Sequence, residues 1–301
     1  MKFDPNIKRK STICDSLSVG NDFLPSIVEF STSGLCNRKC IFCPRSSPDY
    51  NHINEHLSVK NLSKISNELM RPNTNYYFIF SGFSEPLLTP HLPILINILR
   101  SDHPTSTIEI NTNTDLLSHE IINSLFDNGI SSIICSIYDS ENRLNEVRLM
   151  FQEIGYNEKH YKLRSRFYNK SKDEELALDE FGITLSNRGG SMSNAGFPIA
   201  TPTDPLSSPC YYPFYNMFID YNGDYLLCPH DWSKQEVLGN ISTHNCLNDI
   251  WHSDRLDLIR KNLLGSNRKI SAPCSVCDVR GTLIGEKQVR DWQKWIKAKM
   301  S

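Results

Sequence analysis

From residue 27 onward, apolar positions fall by turns into short continuous or alternating runs and into longer runs spaced three and four apart. These are the periods of a strand and of an amphipathic helix. Ile27–Ser33 (IVEFSTS) alternates and predicts a strand. Ser58–Met70 puts Val59, Leu62, Ile65 and Leu69 on one face and predicts a helix. Tyr76–Phe80 (YYFIF) reads as a continuous apolar strand, and PHLPILINILR as a helix opening at Pro90. A strand at Thr107–Asn111, a helix at His119–Phe126, a strand at Ser131–Ile137 and a helix at Ser140–Phe151 follow. Strands at Lys162–Phe167 and Ile183–Ser186 would bring the series to a five- or six-stranded partial barrel. Such β-then-α alternation predicts parallel strands with right-handed helical crossovers. The strand interiors read as apolar, as expected where both sheet faces are covered.

The texture then changes. Asn187–Pro209 is rich in Gly, Ser, Asn and Pro and reads as a long loop. FYNMFIDYNGDYLLC predicts a hairpin around Asn222-Gly223. LNDIWHSDRLDLIRKNLLG predicts one amphipathic helix ending at Gly265, and Glu286–Lys299 a last helix with a basic C-terminal end. The chain has no internal repeat or low-complexity tract.

Composition narrows the function classes. Of 301 residues, 32 are Lys or Arg and 34 are Asp or Glu, a net charge of −2. That balance argues against a nucleic-acid or polybasic membrane partner. No apolar run approaches the roughly 18 residues that span a bilayer. The first residues, MKFDPNIKRKSTICDS, are basic but lack the apolar stretch of a secretory signal, so a cytoplasmic location is expected.

Ten cysteines in such a chain favour metal ligation over disulfides. Cys36, Cys40 and Cys43 form a C-x3-C-x2-C run directly after the first strand. Three thiolates are one fewer than a closed tetrahedral zinc site wants, and a [4Fe–4S] cube held by three keeps one iron open. A zinc loop completed by a distant histidine is the alternative. Cys210, Cys228 and the C-x2-C pair Cys274/Cys277 supply four further ligands, which by spacing fit either a zinc ribbon or a second iron–sulfur cluster.

A C-x3-C-x2-C loop after the first strand of a β/α series resembles the radical S-adenosylmethionine (radical SAM) superfamily. Phe42, the aromatic before the last cysteine, matches as well. SGFSEPLL resembles the family's Gly-Gly-Glu-Pro segment after strand two, with Phe83 and Ser84 in glycine positions. INTNTDLL resembles its Thr-Asn-Gly segment, with Thr114 where glycine is usual. The resemblance covers residues 26 to about 190. The C-terminal part resembles the shortened SPASM, or twitch, domain: Cys210, a hairpin, Cys228, Leu238-Gly239-Asn240-Ile241, Asp249-Ile250-Trp251 and Cys274/Cys277 follow that order. The implied fold is an α/β partial (β/α)6 barrel at 26–190, after an arm at 1–25. A linker at 191–209 and a small α+β twitch/SPASM domain at 210–301 complete it.

The resemblance also implies chemistry. Cys36, Cys40 and Cys43 would hold the cofactor-binding [4Fe–4S] cluster, and Cys210, Cys228, Cys274 and Cys277 one auxiliary cluster. Phe42, Ser84, Glu85, Asn113 and Ser136 would bind S-adenosylmethionine, Glu85 through its ammonium. Leu185–Gly190 (LSNRGG) and LGNI…DIWHSD resemble members that oxidise an aminocyclitol alcohol, where the matching arginine faces the substrate. The expected reaction begins with a 5′-deoxyadenosyl radical that takes hydrogen from an alcohol carbon of a small polar substrate, leading to a ketone. Arg188 and His230 are candidates to assist the hydroxyl proton. An epimerase is the alternative, with Cys135, or less well Cys246, returning a hydrogen atom. A peptide-modifying maturase is disfavoured by the 35 residues ahead of Cys36 and the smaller cysteine set. A flavodoxin- or ferredoxin-type reductant is the expected partner. His119, His244 and His252 read as solvated, Tyr211 and Tyr212 as packing residues, Cys14 as incidental. Asp139 reads as either a helix cap or a ligand contact at the mouth of strand four.

Overall fold

The computed structural model describes residues 23–166, 185–243 and 246–300. Cys14, Phe167, His244 and the start of the expected strand at 183–186 lie outside the described residues. Leu185 and Ser186 are not in a strand.

Five parallel strands alternate with helices: β1 (Ile27–Ser31), α1 (Val59–Leu69), β2 (Tyr77–Ser81), α2 (Leu92–Asp102), β3 (Thr107–Thr112), α3 (His119–Asp127), β4 (Ser132–Ile137), α4 (Glu141–Glu153) and β5 (Tyr161–Ser165). Side-chain caps fix three of the helix starts. Ser58, Ser118 and Ser140 each accept the N–H three residues on, which satisfies a donor that the first turn leaves open. The helix expected from Pro90 begins at Leu92, with His91 at its N-cap. On α1, Leu62, Ile65 and Leu69 face the core, but Val59 at the helix start is exposed and Ser66 takes the buried place.

The sheet does not stop at the barrel. β6 (Asn216–Ile219) pairs parallel to β1, and β7 (Asp224–Leu226) and β8 (Val237–Asn240) follow antiparallel, giving the order β5-β4-β3-β2-β1-β6-β7-β8. The hairpin turn is one step earlier than Asn222-Gly223 suggests. It runs from Asp220 to Gly223, whose N–H donates to Asp220 O at 2.9 Å and whose φ is +87°. Glycine takes that left-handed value without cost. The single helix expected after the hairpin is two, α5 (Leu247–Trp251) and α6 (Asp254–Leu264). Ser253 breaks it, its hydroxyl capping the Leu256 N–H at 3.3 Å. The last helix is α7 (Glu286–Met300).

One face of the barrel strands packs on the helices: Val28, Phe30, Phe78, Phe80, Ile108, Ile110, Ile133, Cys135 and Ile137 belong to one apolar core. The other face, lining the lumen, is more polar than the sequence suggested. Glu29 and Glu109 are buried on one rung of it, either side of Ile79. Glu109 accepts the Tyr77 hydroxyl at 2.5 Å and the Ser132 hydroxyl at 3.1 Å. Glu29 accepts Ser81 and the Asn216 amide. The alternation in IVEFS thus separates the lumen from the helix layer, not the core from solvent. Buried carboxylates are kept only where hydrogen bonds meet them.

Candidate active site

The cysteine loop leaves the C-terminal end of β1 and lies across the mouth of the barrel. Cys36, Cys40 and Cys43 are half-buried, and none of the nine described cysteines is in a disulfide. Burial is the largest cause of a raised thiol pKa at all three, with Cys40 pushed up to about 12 by burial and by its neighbours Cys43 and Cys36. Thiols that crowd one another and resist ionising fit a bound cationic centre, which holds them as thiolates. Two arginines pin the loop. Arg38 pairs bidentately with Asp115 and also with Asp139 (3.0 and 2.7 Å) at the ends of β3 and β4. Arg45 is buried, donates to Phe83 O, meets His52 Nδ1 at 3.0 Å and lies over the Tyr50 ring. Asp139 is therefore an anchor for the cysteine loop; the cap of α4 is Ser140.

Glu85 sits beneath this loop, fully enclosed. It accepts the Asn113 N–H (2.8 Å), the Thr112 hydroxyl (2.7 Å) and the Leu87 N–H (3.1 Å). Burial pushes its pKa up to about 7 against those donors. A cation placed against it would restore the charge, which suits the ammonium expected there. Asn113 reaches the loop through Asn37 at 2.7 Å and comes within 3.9 Å of Cys36 Sγ. Phe42 stacks on Tyr138 at 5.5 Å. Ser136 is buried on the lumen face of β4. Neither Phe83 nor Ser84 needs glycine, because the left-handed residue in SGFSEP is Gly82 (φ +78°). At Thr114 the glycine position is left-handed, and the threonine occupies it with φ +68° and a buried hydroxyl that has no partner.

The second set gathers beside the hairpin. Cys210, Cys274 and Cys277 are buried and Cys228 is half-buried. Cys228, Cys274 and Cys277 each feel the charge of Cys210, and burial again leads in raising all four pKa values, Cys277 to about 11. Gly281 leaves no room for a side chain here: a Cβ would fall 2.2 Å from Cys210 Sγ. Four converging thiols, with the buried Arg268 guanidinium as the one cation that acts on Cys210, Cys274 and Cys277 among the described residues, are the donor set of a fully ligated cluster. Among the described residues no group of three or more ligands has the close spacing that grips a single ion. The two sets are therefore judged on donor chemistry, and a four-iron cube holds its ligands wider apart than one ion does.

Residues 210–278 match the SPASM iron–sulfur cluster-binding domain. A crystal structure of BtrN in complex with AdoMet and 2-DOIA superposes with a TM-score of 0.70 at 23% identity, over 88% of this chain and 97% of that one. The chain carries a SPASM domain on a radical SAM fold. The S-adenosyl-L-methionine-dependent 2-deoxy-scyllo-inosamine dehydrogenase of Niallia circulans is 25% identical over 85% of this chain and 94% of that protein. Streptococcus suis SuiB bound to precursor peptide SuiA shares the fold at a TM-score of 0.57 and 15% identity, over 90% of this chain and 74% of that one.

Between the radical SAM barrel and the SPASM domain lies the turn 187–190. Arg188 is half-buried there, φ +50°, within electrostatic reach of both Cys43 and Asp278. His230 is set by Tyr212 OH at 3.2 Å and Ser186 Oγ at 3.4 Å. The linker also crosses the radical SAM loop, since Phe197 N–H donates to Ile41 O at 2.7 Å. Cys135 is not brought to this place. It is buried in the core on the helix side of β4, opposite in facing to Ser136. Cys246 is remote from it too, at the start of α5 beside Glu68. His119 pairs with Glu153, and His252 stacks on Trp295 rather than standing in solvent. Arg38, Arg45, Asn187 and Asp278 were not singled out from the sequence. The signal for the first two was available, as both stand in or next to C-x3-C-x2-C.

Proposed function

We propose that this protein is a radical SAM dehydrogenase that oxidises a secondary alcohol of a small polar substrate, an aminocyclitol or sugar, to a ketone. The observation that carries the reading is the position of Arg188, on the turn 187–190, and of His230, packed against that turn from the segment after Cys228, between the two cysteine sets. Cys36, Cys40 and Cys43 would hold the cofactor's cluster, Glu85 and Asn113 its polar end, and Phe42 its adenine. Cys210, Cys228, Cys274 and Cys277 would hold the auxiliary cluster. When bound, these groups supply hydrogen-atom abstraction at one end of the site and an electron acceptor at the other. Arg188 would orient the substrate oxygen. His230, already hydrogen-bonded to Tyr212 and Ser186, would take the hydroxyl proton. The covered mouth of the barrel excludes water and competing C–H bonds. A flavodoxin- or ferredoxin-type protein would supply the reducing electron.

The aminocyclitol assignment rests on the Niallia circulans relative and on the Leu185–Gly190 segment. With Cys135 in the outer core, no observation favours the epimerase. The test is anaerobic reconstitution followed by incubation of 2-deoxy-scyllo-inosamine, related aminocyclitols and sugars in deuterated water. Loss of two mass units per cofactor cleaved is the expected outcome. A gain of one mass unit, from one solvent deuterium at carbon, would sink the dehydrogenase reading.

A further inference from the structure

The turn that carries Arg188 is held in a conformation it would not keep alone. Arg188, Gly189 and Gly190 are consecutive left-handed residues, at φ +50°, +59° and +89°. Such values are strained for arginine and persist only where the surroundings impose them. The imposing contact is Asn187, which is completely buried. Its N–H donates to both carboxylate oxygens of Asp278, at 3.0 and 2.9 Å. Its side-chain amide donates to Val276 O at 2.6 Å. Its side-chain oxygen accepts the Asp278 N–H at 3.4 Å. Val276 and Asp278 are the residues on either side of Cys277. The glycines complete the fit: a Cβ on Gly189 would fall 2.9 Å from His230 O, and one on Gly190 3.1 Å from Val276 Cγ2.

We propose that Asn187 is a positioning residue that couples the auxiliary cysteine site to Arg188. The segment Val276–Asp278 is short: it follows the helical turn Ala272–Ser275 that carries Cys274, and Cys277 N–H donates to Cys274 O at 3.4 Å. Iron held by those thiols would fix the Asp278 carboxylate and the Val276 carbonyl. Those two groups are what Asn187 grips, so the left-handed turn is ordered when the auxiliary site is loaded and slackens when it is not. Coupling of this kind runs both ways: a substrate that grips Arg188 tightens the Cys274–Cys277 loop. The protein would therefore engage substrate only when the electron acceptor is in place. This rests on the reading of the four cysteines as an auxiliary cluster site.

Hydrogen exchange of the segment 187–193 tests it, because the coupling is visible without any substrate. In the reconstituted wild type this segment is expected to be protected. In Cys274→Ala/Cys277→Ala, with the Cys36/Cys40/Cys43 site loaded, exchange should rise by about tenfold or more, the scale of losing charge-assisted hydrogen bonds. In Asn187→Ala, reconstituted to the wild-type iron content, both side-chain bonds are lost while the backbone N–H to Asp278 remains, so exchange should already be part-way to that raised rate. Adding the double cysteine change should then produce a smaller further rise than in the wild type. Asp278→Asn, which removes the charge that the backbone N–H donates to, serves in its place if Asn187→Ala does not fold. Equal protection with and without auxiliary iron in the wild type would overturn the coupling. So would an undiminished response in Asn187→Ala. If the wild type takes up only one cluster's iron, the auxiliary-site reading itself fails, and the iron assay reports that separately.

Discussion

The two cysteine sets are built from the same atoms in opposite surroundings. Cys36, Cys40 and Cys43 sit half-buried on one continuous loop, tied to the barrel by salt bridges from Arg38 and by Arg45. Cys210, Cys228, Cys274 and Cys277 come from three separate stretches of chain and are mostly buried against the hairpin and Gly281. A loop that supplied three ligands would leave one iron position for a cofactor and could fold around the barrel without its metal. A site that gathered four ligands from distant segments would close on its metal and become part of the core. On the proposed reading, the difference would separate an open catalytic site from a closed electron-accepting one.

The sharpest way to break that comparison is to remove one cysteine from each side. Cys40→Ala and Cys274→Ala should each lose about four of roughly eight irons, one cube's worth. Thermal unfolding separates them. Cys274→Ala should lower Tm by several degrees or more, because metal binding there is folding free energy. Cys40→Ala should leave Tm nearly unchanged and abolish cofactor cleavage. Equal Tm losses would erase the distinction between the sites.

Arg38 sharpens it next. The guanidinium spans two carboxylates at the ends of two barrel strands. Arg38→Ala should slow cofactor cleavage by about 10- to 100-fold, the usual cost of an outer partner of a metal ligand. Its partly exposed ion pairs should contribute under about 1 kcal/mol to stability. Arg38→Lys, which lacks the bidentate fork, should recover only part of the rate. Single-turnover cleavage and thermal unfolding of the same samples decide it.

Much of this was legible in the sequence. The β/α order was plain because the first four strands and the four helices between them carry clear periods, and serine caps mark three of the helix starts. The ligand cysteines stood out by spacing. What local pattern hides is facing and pairing. Cys135 and Ser136 are adjacent letters, yet one lies under the helices and the other faces the lumen. The merger of the hairpin into the barrel sheet through β1 and β6 is a contact over almost two hundred residues. The Asn187–Asp278 clamp joins two loops with no periodicity at all.

Glu85 tests the open side by pH. Its folded pKa, about 7, lies above the ordinary 4.5. Without a cation beside it the folded state therefore prefers the protonated acid. Its stabilising contribution is complete below pH 4.5 and is lost as pH rises through about 7, by roughly 3 kcal/mol at most. Cofactor binding has the opposite sign, since an ammonium requires the carboxylate. Affinity should fall as pH drops below about 7, approaching about tenfold per pH unit. Glu85→Gln should flatten both profiles, as measured by thermal unfolding of the cofactor-free protein and by equilibrium binding. On the closed side the carboxylate beside the cysteines is Asp278, which is only half-buried and accepts the Asn187 N–H; burial raises its pKa too, so a weaker dependence is expected there.

The smallest effect expected is at Thr114, and it contrasts the two left-handed turns. Beside the SPASM domain, two of the three left-handed positions are glycine, and the strain of Arg188 is held by Asn187. On the radical SAM side, the left-handed position after Asn113 is filled by a β-branched residue at φ +68°, with its hydroxyl buried and unpaired. A strained residue of this kind costs about 1–3 kcal/mol, and a buried hydroxyl without a partner adds to that. Thr114→Gly removes both costs and adds back the greater chain entropy of glycine, about 0.5–1 kcal/mol. It also gives up the packing of one methyl group. The balance should stabilise the protein by about 1 kcal/mol, read as an upward shift in Tm. Cofactor affinity separates relaxation from function: the Asn113 N–H that Glu85 accepts is fixed by the same backbone. Higher Tm with weaker cofactor binding would mean that the strain holds Asn113 in place. Higher Tm with unchanged binding would assign that task to the Arg38 anchors alone.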